Sequence, residues 1–340
     1  MKADVVGTED GRWAAFLDAA RHDFYHLPRY VQLSADETGG EACAVIVADG
    51  PRSLLLPLVV RPIAGSRSDA ASPYGYSGPL AIGTDDPAWM GAALVEVEEA
   101  LRRLGVVSLF VRSHPLLNAV PLAAGGVLVR HGETVSINLT QTTDALVRQT
   151  RRDHRHDIER ALRAGHDARW DEEWAHLGTF RRIYRETMDR VGARPYYFFD
   201  DAYFDRLRDA LGDSLRLCLV EIDGSVAAAG LFVETCGIVQ YHLSGTDPAF
   251  VRERPTKLMI DFVRRWAKER GDWRLHLGGG VGAQADSLLL FKAGFSPDRH
   301  EYFTLRAVID DAEYARLAGA AATAVDPATG FFPAYRAPRE

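Results

Sequence analysis

From residue 215 onward the spacing of apolar positions switches between two periods, and each switch marks an element. Leu215, Leu217 and Leu219 alternate with Arg216 and Cys218, predicting a strand over 215–222. Asp223-Gly224 is a hairpin turn, and 226–233 returns as a second strand. Cys236-Gly237 turns the chain again into a third strand over 238–243. The period then lengthens. Leu258, Met259, Phe262, Val263 and Trp266 share one face of a helix over 256–270, with Pro255 at its start and Gly271 at its end. Trp273, Leu275 and Leu277 alternate with Arg274 and His276, which restores a strand. Asp286 is placed to cap a short helix that Gly294 ends, and a last strand is expected over 302–308.

The N-terminal half follows similar grammar. Strands at 42–48 and 53–60 flank Asp49-Gly50-Pro51-Arg52, a helix covers 87–104, and a strand covers 106–111. Hairpin, helix, strand therefore occurs twice, with little sequence identity between the halves. The expectation is an α/β (α+β) chain of two lobes, each a mixed sheet flanked by helices. The lobes are expected at 1–130 and 131–310, with a tail at 311–340. An arginine-rich helix over 143–164 opens the second lobe. The tail begins alanine-rich from 318 and ends in Gly330-Phe331-Phe332-Pro333-Ala334-Tyr335-Arg336. Three aromatics there are expected to dock on the body rather than stay solvated.

Composition narrows the classes. A chain of 340 residues exceeds what one core usually serves, and 47% hydrophobic with 26% charged residues is ordinary for a globular protein. No apolar run approaches the roughly 20 residues that span a bilayer. Met1-Lys2-Ala3-Asp4-Val5 carries no apolar signal core, so a cytoplasmic location is expected. Cys43, Cys218 and Cys236 are far apart in apolar segments and read as buried free thiols, not as disulfides or zinc ligands. A net charge of -7 argues against broad coating of nucleic acid, and DNA is not an expected partner. Locally the balance reverses: residues 148–169 hold seven arginines against four acids.

The candidate chemistry clusters in the second lobe. Gly278, Gly279 and Gly280 follow an alternating strand and precede a helix, where backbone can approach a ligand closely. Their spacing is not a dinucleotide fingerprint. Lys292 ends the next helix. It either complements the helix dipole or steadies a developing negative charge. Tyr241 and His242 are neighbours on a strand, so one faces the core and the other is free to line a cleft. Ser244 and Thr246 are placed to bond a carbonyl or to shape the turn. Arg151, Arg152 and Arg155 read as one helical face, solvated and paired with nearby acids or touching phosphate. Arg252, Arg254 and Lys257 surround a helix start that suits an anion. His154 and His156 lack a third ligand for a metal. Gly75-Tyr76-Ser77-Gly78 lacks the glycine spacing of a nucleophile elbow.

Longer motifs carry a family resemblance. Ser72-Pro73-Tyr74-Gly75-Tyr76-Ser77-Gly78-Pro79-Leu80 is similar to a first-lobe segment of Fem-like proteins. Arg151-Arg152-Asp153-His154-Arg155-His156-Asp157-Ile158 resembles their basic helix. Pro195-Tyr196-Tyr197-Phe198-Phe199, followed by Tyr203-Phe204, resembles their second-lobe aromatic segment. Tyr241-His242-Leu243-Ser244-Gly245-Thr246 and Phe291-Lys292-Ala293-Gly294-Phe295 complete the match, which covers about residues 13–308. The chain thus resembles the Fem family of aminoacyl transferases, built from two GNAT-type lobes. The resemblance implies amide formation by transfer from aminoacyl-tRNA, bound at its acceptor end, to the amine of a small metabolite or cell-wall precursor. It implies no metal and no tightly bound cofactor, with acyl-CoA as the alternative donor. It also implies oxyanion stabilisation by Lys292; Tyr241 and His242, read from their place on the strand, are further catalytic candidates. Tyr196, Tyr197, Ser244, Thr246, Phe291 and the glycine loop would then contact substrate. Two departures stand out. No long heptad segment supplies the arm that some members insert, and 245–255 replaces the closely spaced glycines of a usual pyrophosphate loop.

Overall fold

A computed structural model describes residues 1–63, 65–117, 125–281, 285–319 and 330–337. The chain divides into two compact units, Met1–Gly132 with Glu301–Glu340, and Glu133–His300. The expected alanine-rich linker lies outside the described residues.

In the first unit, β1 (Lys2–Gly7), β2 (Glu41–Asp49), β3 (Arg52–Pro62), β4 (Ser68–Ala71) and β6 (Val106–Arg112) are neighbours in that order, and β5 (Leu80–Ile82) pairs with β3. The apolar run in β3 explains how this sheet is covered. Leu54, Leu56 and Leu58 face one side, with Val45, Leu94 and Leu101, under α3 (Pro87–Arg103). Leu55 and Val59 face the other, against Trp13, Phe16 and Val31 of α1 (Gly11–Ala19) and α2 (Pro28–Thr38). Each fully buried leucine contributes about 2 kcal/mol. The expected hairpin, helix and strand are present, and β1, α1 and α2 add to them. Within the Ser72–Leu80 segment, the Tyr74 carbonyl accepts from the Tyr30 hydroxyl and the Gly78 carbonyl bonds His26 Nε2, both at 3.0 Å.

The last strand, expected in the second lobe, runs over Arg299–Val308 (β13, counted in chain order) and pairs Thr304–Val308 antiparallel with β6. Its inward residues Leu305 and Ala307 complete the first unit's core, so the chain returns there. The tail docks on this unit. Phe332 stacks on Phe110 and Tyr314, and the Tyr335 hydroxyl bonds Ser108, while Phe331 stays exposed. Tyr314 belongs to α10 (Asp311–Ala318).

The second unit's sheet has the order β7 (Val127–Asn138), β12 (Arg274–Gly279), β11 (Ile238–Thr246), β10 (Ser225–Thr235), β9 (Leu215–Ile222), β8 (Asp167–Trp170). The three strands joined by two hairpin turns stand where the sequence places them. One face carries α5 (Arg152–Arg163) and α8 (Pro255–Arg270), which bury Ile158, Leu258 and Val263 against Val220, Phe232 and Leu275. Ile183 of α6 (Leu177–Arg190) meets β11: a side chain on Gly245 would start 2.6 Å from the Ile183 carbonyl. α7 (Asp201–Leu211) adds Phe204 against Phe180 of α6.

The single helix expected over 143–164 is two. α4 (Thr143–Gln149) ends at Thr150, whose hydroxyl bonds back to Leu146, and α5 starts after Arg151. The break is satisfied from outside, because Arg151 N–H donates to Gly294 at 2.7 Å. Cys43 and Cys218 are buried, but Cys236 is exposed, because its turn needs a protruding tip between β10 and β11. No helix among the described residues is long and apolar enough to cross a membrane.

Asp272, just after α8, is buried beside Glu234, and burial raises its carboxyl to about 6. The folded state therefore holds its proton more tightly than the unfolded chain, so stability is lost as pH rises from the unfolded value toward and past about 6. Asp272→Asn should raise stability by about 1 kcal/mol at pH 8 and leave it unchanged near pH 3.5. Urea unfolding at the two pH values checks this.

Candidate active site

The site starts from a strand pair that parts. β11 and β12 run parallel and pair only at Ile238–Arg274, Val239–Leu275 and Gln240–His276. Beyond that point β11 continues on β10, and β12 continues on β7. Two irregularities accompany the divergence. In β11, Phe232 pairs with Tyr241 and Leu231 with Leu243, leaving His242 as a bulged extra residue. In β12, Leu277 is the extra residue between His276 and Gly278, and Gly278 takes φ +76, a conformation open to glycine.

The bulge revises the alternation expected for Tyr241 and His242. Residues three apart on a regular strand face opposite sides, but the extra residue brings Tyr241 and Ser244 to the same side. Their hydroxyls are hydrogen-bonded. The Tyr241 ring stacks on Phe232 at 5.2 Å, and burial pushes its phenol up to about 12, with the Ser244 bond opposing. His242 is half-buried.

Lys292 enters this opening from α9 (Ser287–Lys292). Asp286 caps the helix by accepting from Leu289 N–H at 2.9 Å, and its other oxygen accepts from Val281 N–H at 2.7 Å. The carboxylate thus ties the exit of the glycine loop to the helix that carries the lysine. Lys292 is buried, not an exposed helix-end cation. Its Nζ donates to the Gly279 carbonyl at 2.7 Å and lies 5.9 Å from the Tyr241 ring centre. Burial lowers its pKa to about 8, with Asp286 pulling the other way. Of the proposed residues, the structure gathers Lys292, Gly279, Tyr241 and Ser244. Gly278 and half-buried Gly280 flank Gly279 on the chain, and Phe291 precedes the lysine.

The lysine's helix is braced from behind. His154 of α5 is buried, its ring 4.6 Å from Phe295 and 5.4 Å from Phe291. It lies so close to Gly294 that a side-chain carbon there would fall 2.0 Å from the imidazole. Burial lowers the His154 pKa to about 4. This histidine of the HxH pair is a packing residue, and His156 is exposed. Among the described residues, no group of three or more His, Cys, Asp or Glu is placed to hold a metal ion.

Several of the basic residues are engaged by other groups of the protein. Arg155 donates to the Arg148 and Thr150 carbonyls and so caps α4 rather than offering a phosphate contact. Arg151 pairs with Asp153 and reaches the Leu290 carbonyl at 3.3 Å. Lys257 is buried, with Nζ 2.7 Å from Asp157, and Arg254 meets the same oxygen at 2.8 Å. Arg160 lies 3.3 Å from the other oxygen of Asp157. Lys257 is therefore a structural partner, not a free anion ligand. Arg152 and Arg252 remain exposed. Arg254 holds φ +54 at the start of α8, where the Thr246 and Thr256 hydroxyls also meet at 2.9 Å. Of the aromatic segment, Tyr196 is exposed, and the Tyr197 carbonyl accepts from Tyr184 at 2.8 Å.

Sequence reasoning missed Asp157 as the hub of this network, Gln240 and Thr134. A polar residue inside the apolar run of 238–243 was the available signal for Gln240. Asp157→Ala leaves Lys257 buried with only Asp153 nearby, and should cost about 3 kcal/mol of stability. Thermal unfolding of the variant measures it.

Comparison with known proteins places this geometry. Residues 148–285 match the acetyltransferase (GNAT) domain family. The chain is similar in structure to FemX, with TM-score 0.70 and 14% identity over 93% of this chain and 99% of that one. It is also similar to L-PGS from Bacillus licheniformis, with TM-score 0.54 and 15% identity over 89% and 93% of the two chains. No curated protein sequence matches it. The chain therefore has a GNAT-like fold of the kind seen in FemX, and the residues that match the GNAT domain family lie in the second unit.

Proposed function

We propose that the protein transfers an aminoacyl group from aminoacyl-tRNA to the amine of a small metabolite or cell-wall precursor. The observation that carries this reading is Lys292, a buried ammonium bonded to Gly279 above the ring of Tyr241 where β11 and β12 part. The likeness to FemX supports the donor, as does the Fem-type motif around the lysine. Donor ester and acceptor amine meet in the opening, and holding them together supplies much of the rate gain. The amine nitrogen attacks the ester carbonyl, forming the C–N bond. Lys292 stabilises the oxyanion of the tetrahedral intermediate. Collapse breaks the ester C–O bond, and the departing ribose oxygen takes up the proton lost by the amine, directly or through water, so the tRNA leaves with a free hydroxyl. Tyr241 and Ser244, hydrogen-bonded to each other, orient the acyl group. Arg152 and Arg252 are exposed and suited to donor phosphates, and no tightly bound cofactor or metal takes part in this scheme. We place the enzyme in the cytoplasm, where aminoacyl-tRNA is available.

A second reading is an acyl-CoA-dependent N-acyltransferase, favoured by the acetyltransferase match over 148–285. The start of α8 weighs against it: Lys257 and Arg254 are engaged by Asp157, and no closely spaced glycines precede the helix.

Incubation with a labelled aminoacyl-tRNA pool and extract amines should give a labelled small product that ribonuclease treatment abolishes. Turnover only with added acyl-CoA would replace the first reading by the second. Lys292→Ala should lower kcat at least about 100-fold with the fold intact; a loss of only severalfold would remove the lysine from the chemistry. Oxyanion stabilisation needs the cation, so kcat/KM should fall as pH rises through about 8, where Lys292 loses its proton. A pH–rate profile checks that limb.

A further inference from the structure

The last paired residues before β11 and β12 diverge are Gln240 and His276, and both side chains are buried. They bond to each other across the strands, His276 Nδ1 to Gln240 Oε1 at 2.7 Å. On its far side His276 Nε2 meets the Thr134 hydroxyl at 2.9 Å. With the Gln240 oxygen as acceptor, Nδ1 carries an imidazole proton; the Thr134 hydroxyl that bonds Nε2 also lies 3.5 Å from the His300 carbonyl. Thr134 is the β7 partner of Gly279, whose carbonyl holds Lys292. Gln240 directly precedes Tyr241. One side-chain chain thus runs from the residue before the tyrosine to the strand partner of the glycine that holds the lysine.

Such a chain is costly to bury unless it is satisfied throughout, and apolar residues would pack there without that cost. Backbone pairing cannot set the angle of the opening, because it has ended. We propose that Gln240, His276 and Thr134 form a latch that sets the opening between β11 and β12, acting as positioning residues for Lys292 without touching substrate. The latch rests on the transfer reading only for its effect on rate. Its effect on the lysine's environment is independent of any reaction.

Two measurements separate these. The first is the pH dependence of Lys292 modification by acetic anhydride, read by peptide mass spectrometry in the whole protein. The wild-type midpoint should lie near 8, because the side chain is buried. In Gln240→Met, which keeps the volume and removes the acceptor, the opening admits water, and the midpoint should rise by a unit or more. The second is steady-state transfer. Gln240→Met should lower kcat about 10- to 100-fold with KM within about threefold, since a mispositioned lysine loses transition-state contact alone. The exchange variant Gln240→His with His276→Gln restores a donor–acceptor pair across the strands and should recover most of both losses. If Gln240→Met does not fold, Thr134→Val tests the far end of the same chain, with a smaller shift in the same direction. An unchanged Lys292 midpoint in a folded latch variant overturns the proposal, as does failure of the folded exchange variant to recover. If the midpoint rises in Gln240→Met but the wild type transfers nothing from aminoacyl-tRNA, the latch stands and the transfer reading falls.

Discussion

The second unit depends on a parallel strand pair that stops pairing after three residues. Parallel strands in a covered sheet normally keep their ladder, because buried backbone groups need partners. Here β11 and β12 each find those partners on the other side, on β10 and β7. The divergence therefore leaves a gap in the sheet with little cost to the backbone on either flank. Through that gap a side chain from below can meet groups on the facing edges. Lys292 does so, and its bond to Gly279 and position over Tyr241 follow from where the gap lies.

The elements around the gap fix its contents. Asp286 holds both ends of the loop-to-helix connection, so the lysine cannot swing independently of the glycine strand. His154 braces the segment from behind, and the missing side chain of Gly294 lets it approach. The bulge at His242 turns Tyr241 and Ser244 to the same side. Burial keeps the lysine nitrogen desolvated and lowers its pKa to about 8.

The arginine-rich stretch illustrates how charge on a sequence is spent. Arg155 caps a helix, Arg151 joins α5 to the end of α9, and Lys257 and Arg254 neutralise Asp157. Several of these cations are tied to protein carboxylates and carbonyls even where they are exposed. The cationic surface that remains comes from fewer residues, Arg152 and Arg252 among them.

The hairpins, the helix from Pro255, the capped helix at Asp286 and the position of Lys292 were all legible in the sequence, because turn chemistry, capping and apolar period are local properties. The motif around Lys292 was legible for the same reason. Three things waited for tertiary structure. The return of β13 to the first unit depends on which core its inward residues complete, and Leu305 and Ala307 fit either in pattern alone. The break between α4 and α5 depends on the Gly294 carbonyl, 143 residues from Arg151 in the chain. The pairing of Gln240 with His276 depends on the parallel register between strands on either side of α8, which no local pattern encodes. Local physics chose the elements and the chemical groups; register and long-range hydrogen bonding decided which of those groups meet.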